Sequence, residues 1–552
     1  MGEQVPWPSP PREVGPWNGG PPIAPPGNTP LPPLPGASGT MGGTSAAANP
    51  WAQPVPSVNI PPERRGPAVP PPPGAAGPGA PLGPTVDDRA PTWVLIASAV
   101  VVVAMIAAGT YLVLKGGRDY PDEWDARVEP ITTWVAKERK LAFEHPVQVN
   151  FQSAEEYSKR ATEGGDVSDP DTEQYYADQV AQLRALGFVS GDVDLAQASD
   201  TLSDSGTLAY YDPDVEQVFV RGTKMTPALE VTLAHELTHV LQDQHFDLER
   251  MGELESGQAS VLRALAEGDA TRIEDAYIDD QLTDEERKAY EEESQQSGDD
   301  AQAEIDDKVP PILTTLFASP YILGPQLITV LDALGSKKID EALADPPSEE
   351  ALFDPRTYGT GALDPKDVTI EAPEGAEVLD GGEFGPTTWY LMLASRMDAK
   401  VALAATDGWG GDAYVVYRQD DRVCVDIAAT GDTEADTTQL GEALVTWVGQ
   451  SPEDTASAKN EDGRITFTSC DPGADAEGDG ADVSPDILAI PVTRSQLYAS
   501  TLEQDATAEQ SSCFAQGVIE RFSTEQLTDP DGTFAQSAEG QQILRDLGAA
   551  CR

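Results

Sequence analysis

The sequence predicts an α+β protein that follows a disordered tail and a single membrane-crossing helix. Three observations carry that prediction. Residues 1–90 hold 26 of the 48 prolines. Residues 93–114 run for 22 residues without a charge. From residue 119 onward, segments with apolar residues at helical spacing alternate with short β-type runs.

The tail comes first. PPIAPPGNTPLPPLPG and VPPPPGAAGPGAPLGP cannot bury enough apolar surface to offset chain entropy, so 1–90 is expected to be disordered and Pro/Gly-rich. It serves as a tether, and its proline runs suit a groove on a cytoplasmic partner. WVLIASAVVVVAMIAAGTYLVL, residues 93–114, is long enough to cross roughly 30 Å of hydrocarbon as a helix. Trp93 and Tyr111 lie near its ends, where aromatic rings favour the interface. A cleaved signal would start near the N-terminus, so a single-pass cell-membrane anchor is expected. Arg89 on one side and Lys115 and Arg118 on the other leave the positive-inside rule undecided. The four cysteines, all in the C-terminal part, favour a cytoplasmic tail and an extracellular C-terminal domain.

The formal net charge is −59. The tail holds four arginines against five acids, a net −1, which leaves −58 for the rest. That excess argues against nucleic acid and anionic lipid surfaces as partners.

Residues 119–335 form the first folded unit. PDEWDARVEPITTWVAKERKL has helical spacing, HPVQVNFQ alternates as a strand, and DTEQYYADQVAQLRALGF is a helix ending at Gly187. GTLAYYDPDVEQVFVRG is a β-hairpin turning at Asp212-Pro213-Asp214. Thr226-Pro227 supplies an N-cap and a first-turn proline for the next helix. Residues 257–280 form a second helix with Gly268 as a weak point, and 281–308 are a charged exposed helix or mobile insert. VPPILTTLFASPYILGPQLITVLDALG is broken by Pro320 and Pro325 and is expected to give buried core helices, not a second span.

Residues 336–472 continue as an α/β part or second subdomain. It is loop-rich over 340–385, with a helix in GPTTWYLMLASRM, paired strands DAYVVYRQ and RVCVDIAA, a helix near 438–450 and a strand RITFTSC. DGWGGDAY is expected to be a structural turn leading into a strand. Residues 473–485 are an acidic linker, and 486–552 a C-terminal helical segment.

The chemistry lies in TLAHELTHVLQDQHF, residues 232–246, which holds three of the chain's four histidines. His235-Glu236-Leu237-Thr238-His239 is an HExxH pattern. Residues four apart on a helix are about 400° apart, so both imidazoles share one face within about 40°. Together they can bind one Zn²⁺ per chain. Glu236, one step round, can take a proton from a water molecule there without being a ligand. Three choices stand for the third ligand. His245 lies six residues after His239, but Gln242 stands where three-histidine sites of this type use a glycine to turn the chain. Glu267, in RALAEGDAT on the next helix, gives His₂Glu if the helices pack antiparallel, and Asp269 or another acid is the remaining choice.

HELTHVLQDQHFDL preceded by a hairpin, followed by ALAEGDAT and later GWGGDAYVVY, resembles the zincin metallopeptidases, in particular the gluzincin group. It also resembles uncharacterised bacterial membrane-anchored or secreted proteins of zinc-protease type. The resemblance is specific over residues 205–280. It implies a zincin-like catalytic domain over 119–335, with zinc on His235, His239 and Glu267 and with Glu236 as the general base. It also implies that the hairpin strand 215–220 borders the cleft and pairs with an extended peptide or protein substrate. The acid that often follows the glutamate ligand by four residues is absent, since Thr271 stands there, so Asp269 or Glu274 must brace the ligands. Tyr210, Tyr211, Tyr277 and His245 are candidates for stabilising an oxyanion.

The expected function is a membrane-anchored zinc metallopeptidase. The alternative is a non-catalytic cell-surface binding or scaffold protein that retains a zincin fold. No CxxC spacing occurs, so the cysteines are disulfide candidates, paired as Cys424 with Cys470 and Cys513 with Cys551.

Overall fold

Two β-sheets and a set of packed helices make up an α+β architecture. It is seen in a computed structural model that describes residues 120–161, 170–204, 208–335, 337–360, 365–476, 483–529 and 532–552. The expected tail (1–90) and membrane helix (93–114) lie outside these residues.

The first sheet has three strands. β1 (Gln148–Gln152) runs parallel to β3 (Gln217–Arg221), and β2 (Ala209–Asp212) runs antiparallel to β3, so the order is β1-β3-β2. The hairpin forms where its turn residues put it. Its second strand, however, is central and hydrogen-bonded on both sides. It therefore has no free edge for a peptide, and the expectation that 215–220 pairs with a substrate is corrected: the sheet's edges are β1 and β2, and of the hairpin only β2 has a free side.

Four labelled helices pack on or near this sheet. α1 spans Glu129–Arg139 and α2 spans Pro227–Phe246. α3 spans Ser256–Gln281, and α4 spans Asp284–Lys308 behind a Thr283/Glu286 capping box. The charged run is thus a capped helix. α5 (Pro311–Leu334) is one helix and not several, passing through both internal prolines. Pro320 withholds the N–H that the Leu316 carbonyl would use, and the Ser319 hydroxyl donates to that carbonyl at 2.9 Å instead. Length and composition alone would let α5 cross a membrane, with a mean hydropathy of 1.2, and 44 % of that window is buried inside the protein.

The contact between α3 and α5 is set by two glycines. A Cβ on Gly268 would lie 2.4 Å from the Gly324 carbonyl carbon, and one on Gly324 would lie 2.0 Å from the Ala264 oxygen. Gly268 is therefore the closest point of a helix crossing, not the weak point that its propensity predicts.

The second sheet has the order β4-β5-β6-β8-β7, antiparallel throughout. Its strands are β4 (Glu377–Gly382), β5 (Trp409–Gln419), β6 (Arg422–Gly431), β7 (Ala456–Glu461) and β8 (Arg464–Cys470). Val425, Ile427, Ile465 and Phe467 share one core with Trp389 of α6 (Pro386–Ala394) and Trp447 of α7 (Glu434–Val448). Asp412, at the start of β5, accepts from the indoles of Trp389 and Trp409 at 2.8 Å each and from the Phe384 amide at 2.7 Å. The DGWGGDAY stretch is thus a packing hub. Cys424 and Cys470 face each other across β6 and β8 and are joined, as are Cys513 and Cys551.

Two outcomes follow from this packing. Gly324→Ala is expected to lose about 1–3 kcal/mol of stability, because a backbone carbonyl blocks the new methyl group. Thermal unfolding followed by circular dichroism checks this, and an unchanged midpoint would refute the crossing. The second concerns Glu349, whose carboxylate accepts from the Thr387 amide at 3.3 Å beside Gly385. Burial, with Glu383 and Asp412 nearby, pushes it up to about 8. A carboxyl raised on folding stabilises fully below its unfolded value near 4.5, and that stability is lost as pH rises through about 8. Glu349→Gln should therefore raise the unfolding temperature by several degrees at pH 8.5 and leave it nearly unchanged at pH 5.

Candidate metal centre

α2 starts where its cap requires. The Thr226 hydroxyl accepts from the Leu229 amide at 3.3 Å, and Pro227 occupies the first turn. From Val231 to Gln242 every residue is buried, so this helix runs through the interior with packing on all sides. Its polar side chains must then find partners within the protein.

His235 and His239 stand on one face with ring centroids 4.7 Å apart. The Nε2 atoms of both converge on Glu267 Oε2, at 3.2 and 3.4 Å. His235, His239 and Glu267 each present one donor atom within 4.8 Å of the others, and all three are 0 % exposed. Two donors each about 2.1 Å from a tetrahedral ion stand about 3.4 Å apart, which is the spacing seen here.

Each histidine is braced from behind. Glu274 Oε2 lies 3.0 Å from His235 Nδ1, and Gln242 Oε1 lies 2.9 Å from His239 Nδ1. Gln242 donates in turn to Asp269 Oδ2 and to the Ala266 carbonyl, both at 3.0 Å. Asp269 accepts from Arg139 of α1 at 2.7 Å and from Arg272 at 2.7 Å. Burial pushes the Asp269 carboxyl up, and these two guanidiniums more than reverse that. With Nδ1 engaged on each ring, Nε2 is the nitrogen turned to the shared point, as metal-binding imidazoles require.

Glu236 takes the remaining side. Its Oε2 accepts from the Tyr211 amide on β2 at 2.8 Å. Its Oε1, like Oε1 of Glu267, is buried without a well-formed hydrogen bond. Burial pushes Glu236 well above the usual carboxylate range. Burial acts the same way on Glu267, but His239 and His235 hold it down at about 2. The donor types, the convergent Nε2 atoms and the two orphaned carboxylate oxygens fit a divalent cation.

The other predicted residues sit elsewhere. His245 is at the exposed end of α2, with Nε2 2.8 Å from the Ala142 carbonyl, so it faces away from the centre. Tyr211 offers its backbone, while its hydroxyl donates to Asp243 at 2.6 Å. Tyr277 packs edge-on against Trp134. The cysteines lie in the second sheet and the C-terminal helices. Sequence reasoning missed Gln242 and Tyr321. In the sequence Gln242 stands out only as the absent glycine of a three-histidine site, and its i,i+3 spacing from His239 is the available signal. Tyr321 comes from α5, where no motif marks it. Its phenol lies near the Glu267 and Glu236 carboxylates, and burial with those charges pushes it well above its ordinary value.

Removing a brace tests this arrangement. Gln242→Leu is expected to weaken divalent-ion binding by about 10–100-fold while the circular dichroism spectrum is kept. Competition against a chromogenic chelator measures it, and full affinity in that variant would remove Gln242 from the site.

Residues 376–484, the second sheet with its helices α6 and α7, match a family model described as a domain of unknown function, DUF8575. That span holds none of the residues of the metal centre. No curated protein and no solved structure matches the chain.

Proposed function

We propose that the chain is a zinc-dependent metallopeptidase with a zincin-like catalytic domain, anchored in the cell membrane through 93–114 with its C-terminal part outside. The observation that carries this reading is the convergence of His235, His239 and Glu267 on one point, with Glu236 beside it and one carboxylate oxygen unengaged. Three protein ligands leave an open position, whereas structural zinc is closed by four. His235, His239 and Glu267 would hold the ion. Zinc there supplies Lewis acidity, which favours ionisation of water and polarises a carbonyl.

This chain's residues do the rest. Glu236 takes the proton of the attacking water on its free Oε1 and delivers it to the departing amide nitrogen. The Tyr211 amide fixes the other carboxylate oxygen, so the base holds one orientation. Glu274, Gln242 and Asp269 keep the imidazoles turned inward. Burial disfavours the ionised form of Glu236, and a cation at the centre acts in the opposite sense.

One observation favours the second reading, a surface binding protein that retains the fold. His235, Glu236, His239 and Glu267 are all 0 % exposed. A single experiment separates the two. The full chain, purified in detergent, is assayed for zinc and for cleavage of a peptide library, beside Glu236→Gln. The peptidase reading expects one zinc per chain in both proteins and a rate lower by about 10²–10⁴-fold in the variant. Zinc in both with no cleavage by either, or cleavage unaffected by the substitution, would leave the binding protein.

A further inference from the structure

Arg263 stands four residues before Glu267 on α3, hence one turn away on the same face, with about 5–6 Å between the two Cβ atoms. Helical side chains lean toward the N-terminus, so Glu267 leans toward the turn that carries Arg263. α5 closes the far side. Gly324 packs against the Ala264 carbonyl, and Tyr321, one turn earlier on α5, is placed where its phenol feels Arg263, Glu267 and Glu236 together. Arg263 therefore borders the volume that the metal centre occupies.

Its lack of a partner is unusual in this chain, where 94 acidic residues face 35 basic ones. Arg139 holds Asp269 and Asp340, Arg184 holds Asp471, and Arg356 holds Asp354. Among the described arginines that are buried or half-buried, Arg263 alone has no hydrogen bond, ion pair or ring contact. The four residues of the centre are 0 % exposed, while Arg263 is half-buried. Arg263 thus carries a half-buried charge one helical turn from a ligand of a fully buried centre.

We infer that Arg263 binds the free α-carboxylate at the C-terminus of the substrate, so that the bond cleaved is the last peptide bond of a chain. The inference rests on the proposed peptidase activity for its cleavage step and on Arg263 alone for its recognition step. A planar guanidinium takes a carboxylate through two parallel hydrogen bonds, which gives geometry as well as charge. The α-carboxylate lies one residue, at most about 3.6 Å of chain, beyond the scissile bond. That reach matches a guanidinium anchored one helical turn from a metal ligand. In the reaction, water adds to the penultimate carbonyl carbon and the carbon–nitrogen bond breaks. The nitrogen leaves with the proton carried by Glu236, which releases one free amino acid. An isolated cation also locally offsets the repulsion that a strongly acidic protein exerts on an anionic chain end.

The test uses the full zinc-loaded chain in detergent and three short N-acetylated peptides. One has a free C-terminus, one is its C-terminal amide, and one is an amide whose last residue is glutamate. Binding is measured calorimetrically in Glu236→Gln, and cleavage by mass spectrometry in the unsubstituted protein. The free acid should bind about 10–100-fold more tightly than its amide. Arg263→Gln should erase that difference, and Arg263→Lys should restore part of it, with zinc content unchanged in both. Equal binding of acid and amide, or discrimination that survives Arg263→Gln, overturns the inference. So does a glutamate amide that binds as well as the free acid, since the carboxylate read is then a side chain. Discrimination without cleavage sinks the peptidase reading and keeps the carboxylate site. Cleavage without discrimination does the reverse.

Discussion

Two imidazoles and two carboxylates share one fully buried volume, and much of the surrounding structure answers that constraint. Each of the four is 0 % exposed. An ionised group so placed costs several kcal/mol unless its charge and its lone pairs are met. The fold meets them unevenly. Both Nδ1 atoms, Glu236 Oε2 and Glu267 Oε2 have partners, and the Oε1 atoms of the two glutamates do not. The unmet demand therefore collects at one point among the side chains. That is how a protein prepares a cation site, because the ion repays a desolvation already incurred when the chain folded.

The elements that meet the demand come from distant parts of the chain. α1 contributes Arg139, β2 the Tyr211 amide, α2 the histidines, α3 the acids, and α5 the phenol. Their agreement depends on how near α5 comes to α3. A crossing with no side chain at either closest residue lets the backbones touch, as Gly268 and Gly324 do. A tyrosine one turn from that contact is then held against a carboxylate one residue from it. α5 also carries two internal prolines. They remove backbone donors from a helix whose burial would otherwise reward regularity, and Ser319 repairs one of the losses locally.

What was legible in the sequence follows from range. Thr226-Pro227 started α2, Asp212-Pro213 turned the hairpin, and the HExxH spacing put two imidazoles on one face, because each of these signals is contained within a few residues. The alternating runs that became β5, β6 and β8 were legible for the same reason. β4 and β7 were not, since EVLDGG ends in two glycines and ASAKNE is mostly polar, and both acquire strand geometry by lying beside β5 and β8. Gly268 was misjudged because propensity counts only the cost of a glycine, while its use lies in the helix that crosses there. The hairpin strand with a free edge is the other one for a related reason. A hairpin shows which two strands pair, not which of them takes the third, and the parallel partner β1 joined β3 from far upstream.

The choice of ligands also agrees with the proposed location. Both disulfides lie in the C-terminal half, and no described cysteine is free. Such bonds persist in an oxidising compartment. A cysteine-ligated zinc site there would compete with disulfide formation for the same thiolates and would be exposed to sulfur oxidation. Imidazole and carboxylate donors carry neither liability. The two chemistries are segregated among the described residues: sulfur staples the second sheet and the C-terminal helices, and nitrogen and oxygen form the candidate metal centre. Each set of side chains can then answer to its own chemistry, and oxidation that secures one half of the molecule leaves the candidate ligands of the other half intact.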